Sequence, residues 1–144
     1  MPGKDDIPGG VSPLSDPGIC VVRAGQGERV PVELATRLRP VDPATFHIYR
    51  LPANSDVKLH YHDFDEYWWF VEGQPRVTLR APGGEPHTFH LGAGDLVACV
   101  AGVEHTLWAD HELVYHQYCS VRHGDERLGH LTRSRPSQRT LGNP

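Results

Sequence analysis

Glycine and proline interrupt this chain so often that a long helix has nowhere to form. There are 15 Gly and 13 Pro among 144 residues, and the stretches between these breakers are short and rich in Val, Tyr, Phe, Trp, Thr and Leu, residue types that suit a pleated, half-buried surface. An all-β chain is expected. The candidate strands are Ile19–Arg23, Arg29–Leu34, Phe46–Leu51, Val57–Tyr61, Glu66–Val71, Arg76–Arg80, His87–Leu91, Asp95–Val100, His105–Trp108 and Leu113–Val121. Many short strands at near-regular spacing close into a sandwich or barrel. Ala81-Pro82-Gly83-Gly84 and Gly92-Ala93-Gly94-Asp95 are expected to close hairpins. The segment from Val30 to Ala44 reads equally well as an edge strand or a short helix.

This length supports one hydrophobic core and not two. The expected organisation is a flexible N-terminal segment over residues 1–18, a barrel over 19–121, and a polar C-terminal tail over 122–144, with at most one weak helical turn near Glu126–Leu131. The formal charge of −4 comes from well-mixed acidic and basic residues, so no basic stripe exists to meet a phosphate backbone. The arginines of the final stretch are expected to lie in a solvated tail. No apolar run is long enough to span a bilayer, and residues 1–18 contain no signal-type hydrophobic segment, which predicts a cytoplasmic protein without nucleic-acid or membrane partners. Cys20, Cys99 and Cys119 stand at unrelated spacings, as reduced core residues do.

The chemistry gathers in His60-Tyr61-His62-Asp63-Phe64-Asp65-Glu66. Alternation along a strand points His60 and His62 to the same side, and Glu66 follows after a short turn. His105 begins another strand just after the turn at Ala101-Gly102. Three neutral imidazoles and a carboxylate around a divalent ion leave open positions, which is the composition of a reactive site and not of a closed structural one. Spacing alone leaves a second reading open, two exposed strand histidines.

Asn54 to Gly73 resembles the first cupin motif, G-x5-H-x-H-x3,4-E-x6-G, with His60, His62, Glu66 and Gly73 in register and Asn54 at the usual glycine. Gly94 to Ala109 resembles the second, G-x5-P-x-G-x2-H-x3-N, with Gly94, Gly102 and His105 matching, Val100 at the usual proline and Ala109 at the usual asparagine. The resemblance implies a double-stranded β-helix, the jelly-roll cupin barrel. It also implies one divalent transition metal per chain, Fe(II) by preference with Zn, Mn or Ni as alternatives, held by His60, His62, Glu66 and His105. A homodimer formed through an N-terminal strand, which Ile19–Arg23 would supply, is a further implication.

Alternation from Glu66 places Trp68 and Phe70 on the metal's side and Tyr67, Trp69 and Val71 on the other. Trp68 then either walls a pocket or fills the barrel. Lys58, two residues before His60, is expected to face inward as a substrate anchor or acid–base group, with Glu66 as the second catalytic candidate. In Leu113–Val121, either His116 with Tyr118 or Tyr115 with Gln117 faces the cavity; His116 is a further ligand candidate or a hydrogen-bonded core histidine. Tyr49 and Arg50 share that ambiguity. Asp63 and Asp65 read as turn formers, and His47, His87, His90, His111, His123 and His130 as solvated.

Because cupin barrels host many reactions, three functions are compatible with the resemblance. The leading one is a non-haem Fe(II) oxygenase acting on a small polar molecule. The others are a non-redox isomerase, lyase or natural-product biosynthetic enzyme, and a small-molecule binding or sensing module without turnover.

Overall fold

A computed structural model describes residues 18–133. They form nine strands: β1 (Ile19–Val22), β2 (Val41–Leu51), β3 (Asp56–His60), β4 (Glu66–Glu72), β5 (Arg76–Arg80), β6 (His87–His90), β7 (Leu96–Cys99), β8 (Glu104–Trp108) and β9 (Leu113–Ser120). The strands make two antiparallel sheets, one in the order β1-β7-β4-β9-β2 and one in the order β3-β8-β5-β6. The expectation of an almost all-β jelly-roll barrel holds. No helix among the described residues is long and apolar enough to cross a membrane.

The core lies between the sheets, where alternate side chains interdigitate. Trp68 and Phe70 from β4, Val77 and Leu79 from β5, Leu107 from β8 and Leu113 from β9 are each at most 1 % exposed. Trp69 and Val71, one residue out of phase, are exposed on the outer face, so the parity read from Glu66 is correct. Tyr67 also faces outward but is covered, because Leu34 and Leu38 from the 30–40 segment pack against the same cluster.

Two local expectations change and one holds. Arg29–Leu34 is not a strand; Val32–Ala35 forms a one-turn helix, α1, and β2 instead starts at Val41. Pro31 and Pro40 bracket that turn and lack the N–H groups a ladder would need. Ala81–Gly84 does turn between paired strands, with Gly84 N–H donating to Ala81 O at 2.9 Å. The Gly92–Asp95 turn, however, links β6 to β7, which belong to different sheets, so it is a crossover and not a hairpin.

Two motif positions have backbone reasons. Gly73 has φ +103, and a Cβ there would meet Leu113 Cδ2 at 2.5 Å and Glu112 O at 2.7 Å. Asn54, at the position where glycine is usual, has φ 63. Asparagine is the side chain that best tolerates this left-handed conformation, so the departure keeps the turn.

Candidate metal centre

The site forms where the first sheet meets the second. His60 ends β3, and its directly opposed partner on β8 is His105. His62 follows in the loop, and Glu66 opens β4 in the other sheet. The loop is held by Asp65, which is buried and accepts hydrogen bonds from Arg39 N–H at 3.1 Å and Ala101 N–H at 2.9 Å. Gly102 N–H donates to His62 O at 2.9 Å, joining the two motif segments directly. Asp65 is therefore a structural acceptor rather than a simple turn former.

One ligand atom from each of His60, His62, Glu66 and His105 lies within 4.8 Å of all the others. The Nε2 atoms of His60 and His62 are 3.2 Å apart, those of His60 and His105 3.1 Å, and His62 Nε2 is 3.1 Å from Glu66 Oε1. Each imidazole uses its other nitrogen on a backbone carbonyl: His60 Nδ1 on Lys58 O at 2.7 Å, His62 Nδ1 on Gly129 O at 2.8 Å, and His105 Nδ1 on Val103 O at 3.0 Å. A carbonyl only accepts, so Nδ1 carries the proton and the Nε2 lone pairs turn inward. Three lone pairs and a carboxylate converging on one point repel one another unless a cation lies between them. Spacings near 3.1 Å match adjacent positions around an ion with metal–nitrogen bonds of about 2.1 Å. The donor set fits a divalent transition metal.

Electrostatics favour the ligating forms of His105, His60 and Glu66, and the protonated form of His62 in the metal-free site. Burial pushes the His105 imidazole down to about 3 and lowers His60 as well. At Glu66 burial works upward, but the hydrogen bond that His62 donates when protonated and the charge of the imidazoles outweigh it and hold the carboxyl below its ordinary value in the metal-free site. For His62 burial works downward and is overcome by Glu66, so its value is raised. Trp68 Nε1–H donates to Glu66 Oε2 at 2.8 Å, leaving Oε1 toward the histidines. Cys119 Sγ lies 3.9 Å from Glu66 Oε1, and burial pushes its thiol up to about 12, so it faces the site as a neutral thiol.

The other candidates divide. Trp68 and Phe70 are buried on the inner face, and Trp68 meets the His105 ring edge-on at 5.2 Å. Lys58 is exposed, contrary to expectation. The ladder between β3 and β8 shifts register between Val57 and His60, and across this irregularity Val57 packs against the core and His60 is buried while Lys58 stays in solvent. His116 and Tyr118 are also displaced. Tyr115 stands opposite Phe70 and Gln117 opposite Trp68, so His116 and Tyr118 fall on the outer face, with Trp69 5.5 Å from His116 and Phe46 5.3 Å from Tyr118. His116 is outside the ligand cluster. Tyr49 follows Tyr115 inward and Arg50 pairs with Glu112 on the surface.

His130 and the segment around it are largely exposed, as expected, but sequence reasoning missed their place beside the ligands. The expected solvated tail crosses the site over residues 122–133: the His130 ring stacks on His60 at 4.0 Å, and Asp63, expected as a turn former, binds Arg127. A run of arginines and histidines beyond the last strand carries no periodic signal by which this could have been found.

No family model matches the chain. An uncharacterized protein, y4oW, of Sinorhizobium fredii (strain NBRC 101917 / NGR234) is 34 % identical over 83 residues, which cover 56 % of this chain and 35 % of that protein. The chain therefore spans about a third of that relative's length. Among solved structures, the Drosophila melanogaster CENP-C cupin domain superposes with a TM-score of 0.50 at 17 % identity, over 54 % of this chain and 57 % of that one. A variant of Bacillus subtilis oxalate decarboxylase superposes over 58 % of this chain and 23 % of its own at 23 % identity and a TM-score of 0.49, too loosely to bear on chemistry. At such identities the CENP-C likeness speaks for the fold alone, and together with the two antiparallel sheets closing over a buried His60–His62–Glu66–His105 cluster it shows that this chain has a cupin-like fold.

Proposed function

We propose that the protein is a metal-dependent enzyme of the non-haem Fe(II) oxygenase type, acting on a small polar molecule. The observation that carries this reading is the convergence of three Nε2 lone pairs and Glu66 Oε1 at one buried point. When bound there, Fe(II) supplies the electrons for dioxygen chemistry. The chain's own residues do the rest. Three backbone carbonyls fix the imidazole tautomers, Trp68 holds Glu66 by one oxygen, and Phe64, stacked on His62 at 4.7 Å, helps keep water out.

A non-redox isomerase or lyase needs a side chain that moves a proton beside the ion. Lys58, the expected one, is in solvent. Cys119 and Tyr115 face inward, and burial raises both, so they hold their protons at neutral pH. A base there would have to be Glu66, already engaged as a ligand, or His130, stacked on His60 at 4.0 Å, and we favour the oxygenase because it needs neither in that role. The test is to strip the protein, reload it with Fe(II) without air, and follow oxygen uptake against a panel of small polar compounds. Uptake that depends on both iron and compound supports the reading. Turnover that continues without oxygen overturns it.

The homodimer implied by the cupin resemblance is proposed on the outer face of the first sheet; β1, the strand expected to form it, pairs with β7 on one side and is, like β2, an end strand. β2 is an end strand, and beside it Phe46, Ile48, Trp69 and Val71 are exposed on one face. A second copy whose own apolar strip packs face to face on this one about a two-fold axis would bury both strips. Trp69→Lys should shift sedimentation from dimer to monomer. A wild-type protein that stays monomeric at high concentration contradicts this.

A further inference from the structure

The four ligand side chains are only 1 % to 5 % exposed, although they stand at the end of the barrel formed by the 61–65 loop and the 100–103 turn. The C-terminal segment lies across them. It runs antiparallel to Tyr61-His62-Asp63 and holds each of these residues in turn. Tyr61 and Leu131 exchange backbone hydrogen bonds of 2.8 and 3.0 Å. His62 Nδ1–H donates to Gly129 O at 2.8 Å. The Asp63 carboxylate accepts from Arg127 backbone N–H, Nε and Nη2 at 3.0, 2.8 and 2.9 Å. Between these contacts the His130 ring lies on His60, nearly parallel at 19°. Arg133 fastens the far end, with Nη2 donating to Gly102 O at 2.7 Å and its guanidinium 4.0 Å from the Tyr61 ring centre. An Arg39–Glu126 ion pair fastens the near end.

The ligand anchors differ in a way that gives this strap a function. His60 and His105 donate Nδ1–H to carbonyls two residues away in their own segments, whereas the carbonyl that orients His62 comes from 67 residues away. Two of the three ligand orientations are thus built into the barrel, and the third depends on the strap being in place. The strap's main side-chain lock is a partly solvated pair, with Arg127 60 % and Asp63 22 % exposed. Such a lock opens at little cost compared with a packed core.

We propose that residues 122–133 are a movable cover whose closure completes the metal centre. Arg127 and Gly129 act as positioning residues for His62, and opening of the Arg127–Asp63 lock admits substrate. This rests on the metal reading above. Because the closed strap sets the ligating tautomer of His62, metal binding favours closure and closure favours metal binding by the same factor.

The test uses the full-length, metal-stripped protein titrated with Zn²⁺ and with Co²⁺, in wild type, Arg127→Gln and Glu126→Gln. Trypsin reads the strap directly, because cleavage after Arg127 requires it to open. The expected results are that bound metal slows this cleavage by about tenfold or more, and that Arg127→Gln weakens metal binding by about 10- to 100-fold and changes the visible Co²⁺ spectrum. Glu126→Gln should show the same changes to a smaller degree. A variant that only melts earlier while keeping wild-type affinity and spectrum would overturn the proposal, as would cleavage indifferent to metal. If wild type takes up no metal at all, the metal reading itself fails; if it binds metal while the strap is indifferent, only the cover is wrong.

Discussion

The Trp68 indole Nε1–H donates to Glu66 Oε2 at 2.8 Å from two positions further along the same strand. Side chains two apart on a strand share a face, so the ligand and the group that orients it arrive together once β4 pairs. Trp68→Phe keeps most of the buried ring and removes the donor. The carboxylate is then free to turn, and metal affinity should fall by about 10- to 100-fold, with the secondary structure unchanged. Competition titration against a coloured chelator measures this. Wild-type affinity in the variant would show that Glu66 needs no such support.

His116 lies on the outer face of the first sheet, 5.5 Å from Trp69. His116→Gln should leave metal stoichiometry intact, whereas His105→Ala should remove most of it. Metal analysis of the two variants side by side decides the matter. Equal losses would put His116 in the ligand set.

Metal-free protein should lose stability as pH falls from about 6.5 toward about 4. Unfolded imidazoles take up a proton in the upper part of that window, while burial keeps His105, down at about 3, and also His60 neutral in the folded chain. The unfolded state then binds more protons, which favours it. Glu66, held below its ordinary value, adds to the loss as pH drops through the carboxylate range. His62 is raised and works the other way, so the net effect is that of two imidazoles and a carboxylate against one imidazole. Thermal melts of the stripped protein at pH 7, 5.5 and 4.5 check the trend. A melting temperature that is flat or rises on acidification contradicts it.

Gly73→Ala should destabilise the fold by about 2 kcal/mol or more, because a left-handed backbone and two contacts under 3 Å both oppose a Cβ. Gly92→Ala, where a Cβ meets nothing within 4 Å, should cost little. Chemical denaturation of the pair checks the contrast, and equal midpoints would contradict it.

What was legible in the sequence depended on how far each signal reached along the chain. β5 could be placed to the residue, because Arg76–Arg80 alternates cleanly between turn residues. The ligands were legible because two motifs fix them at set intervals. Lys58 was misplaced because parity was counted through a register shift that only the β3–β8 pairing contains. His116 and Tyr118 could not be oriented until the pairing of Phe70 with Tyr115 was known. The strap was invisible for a related reason, since the contacts that hold it to the site join residues far apart in sequence, and neither periodicity nor composition reports such pairs.

The central claim is that His60, His62, Glu66 and His105 hold one divalent transition ion, and metal content measured on purified protein tests it most directly. Wild type loaded with Fe(II) or Zn²⁺ and desalted should retain about one ion per chain, and the His60→Ala, His62→Ala double variant should retain almost none. Full stoichiometric retention in the folded double variant would contradict the account.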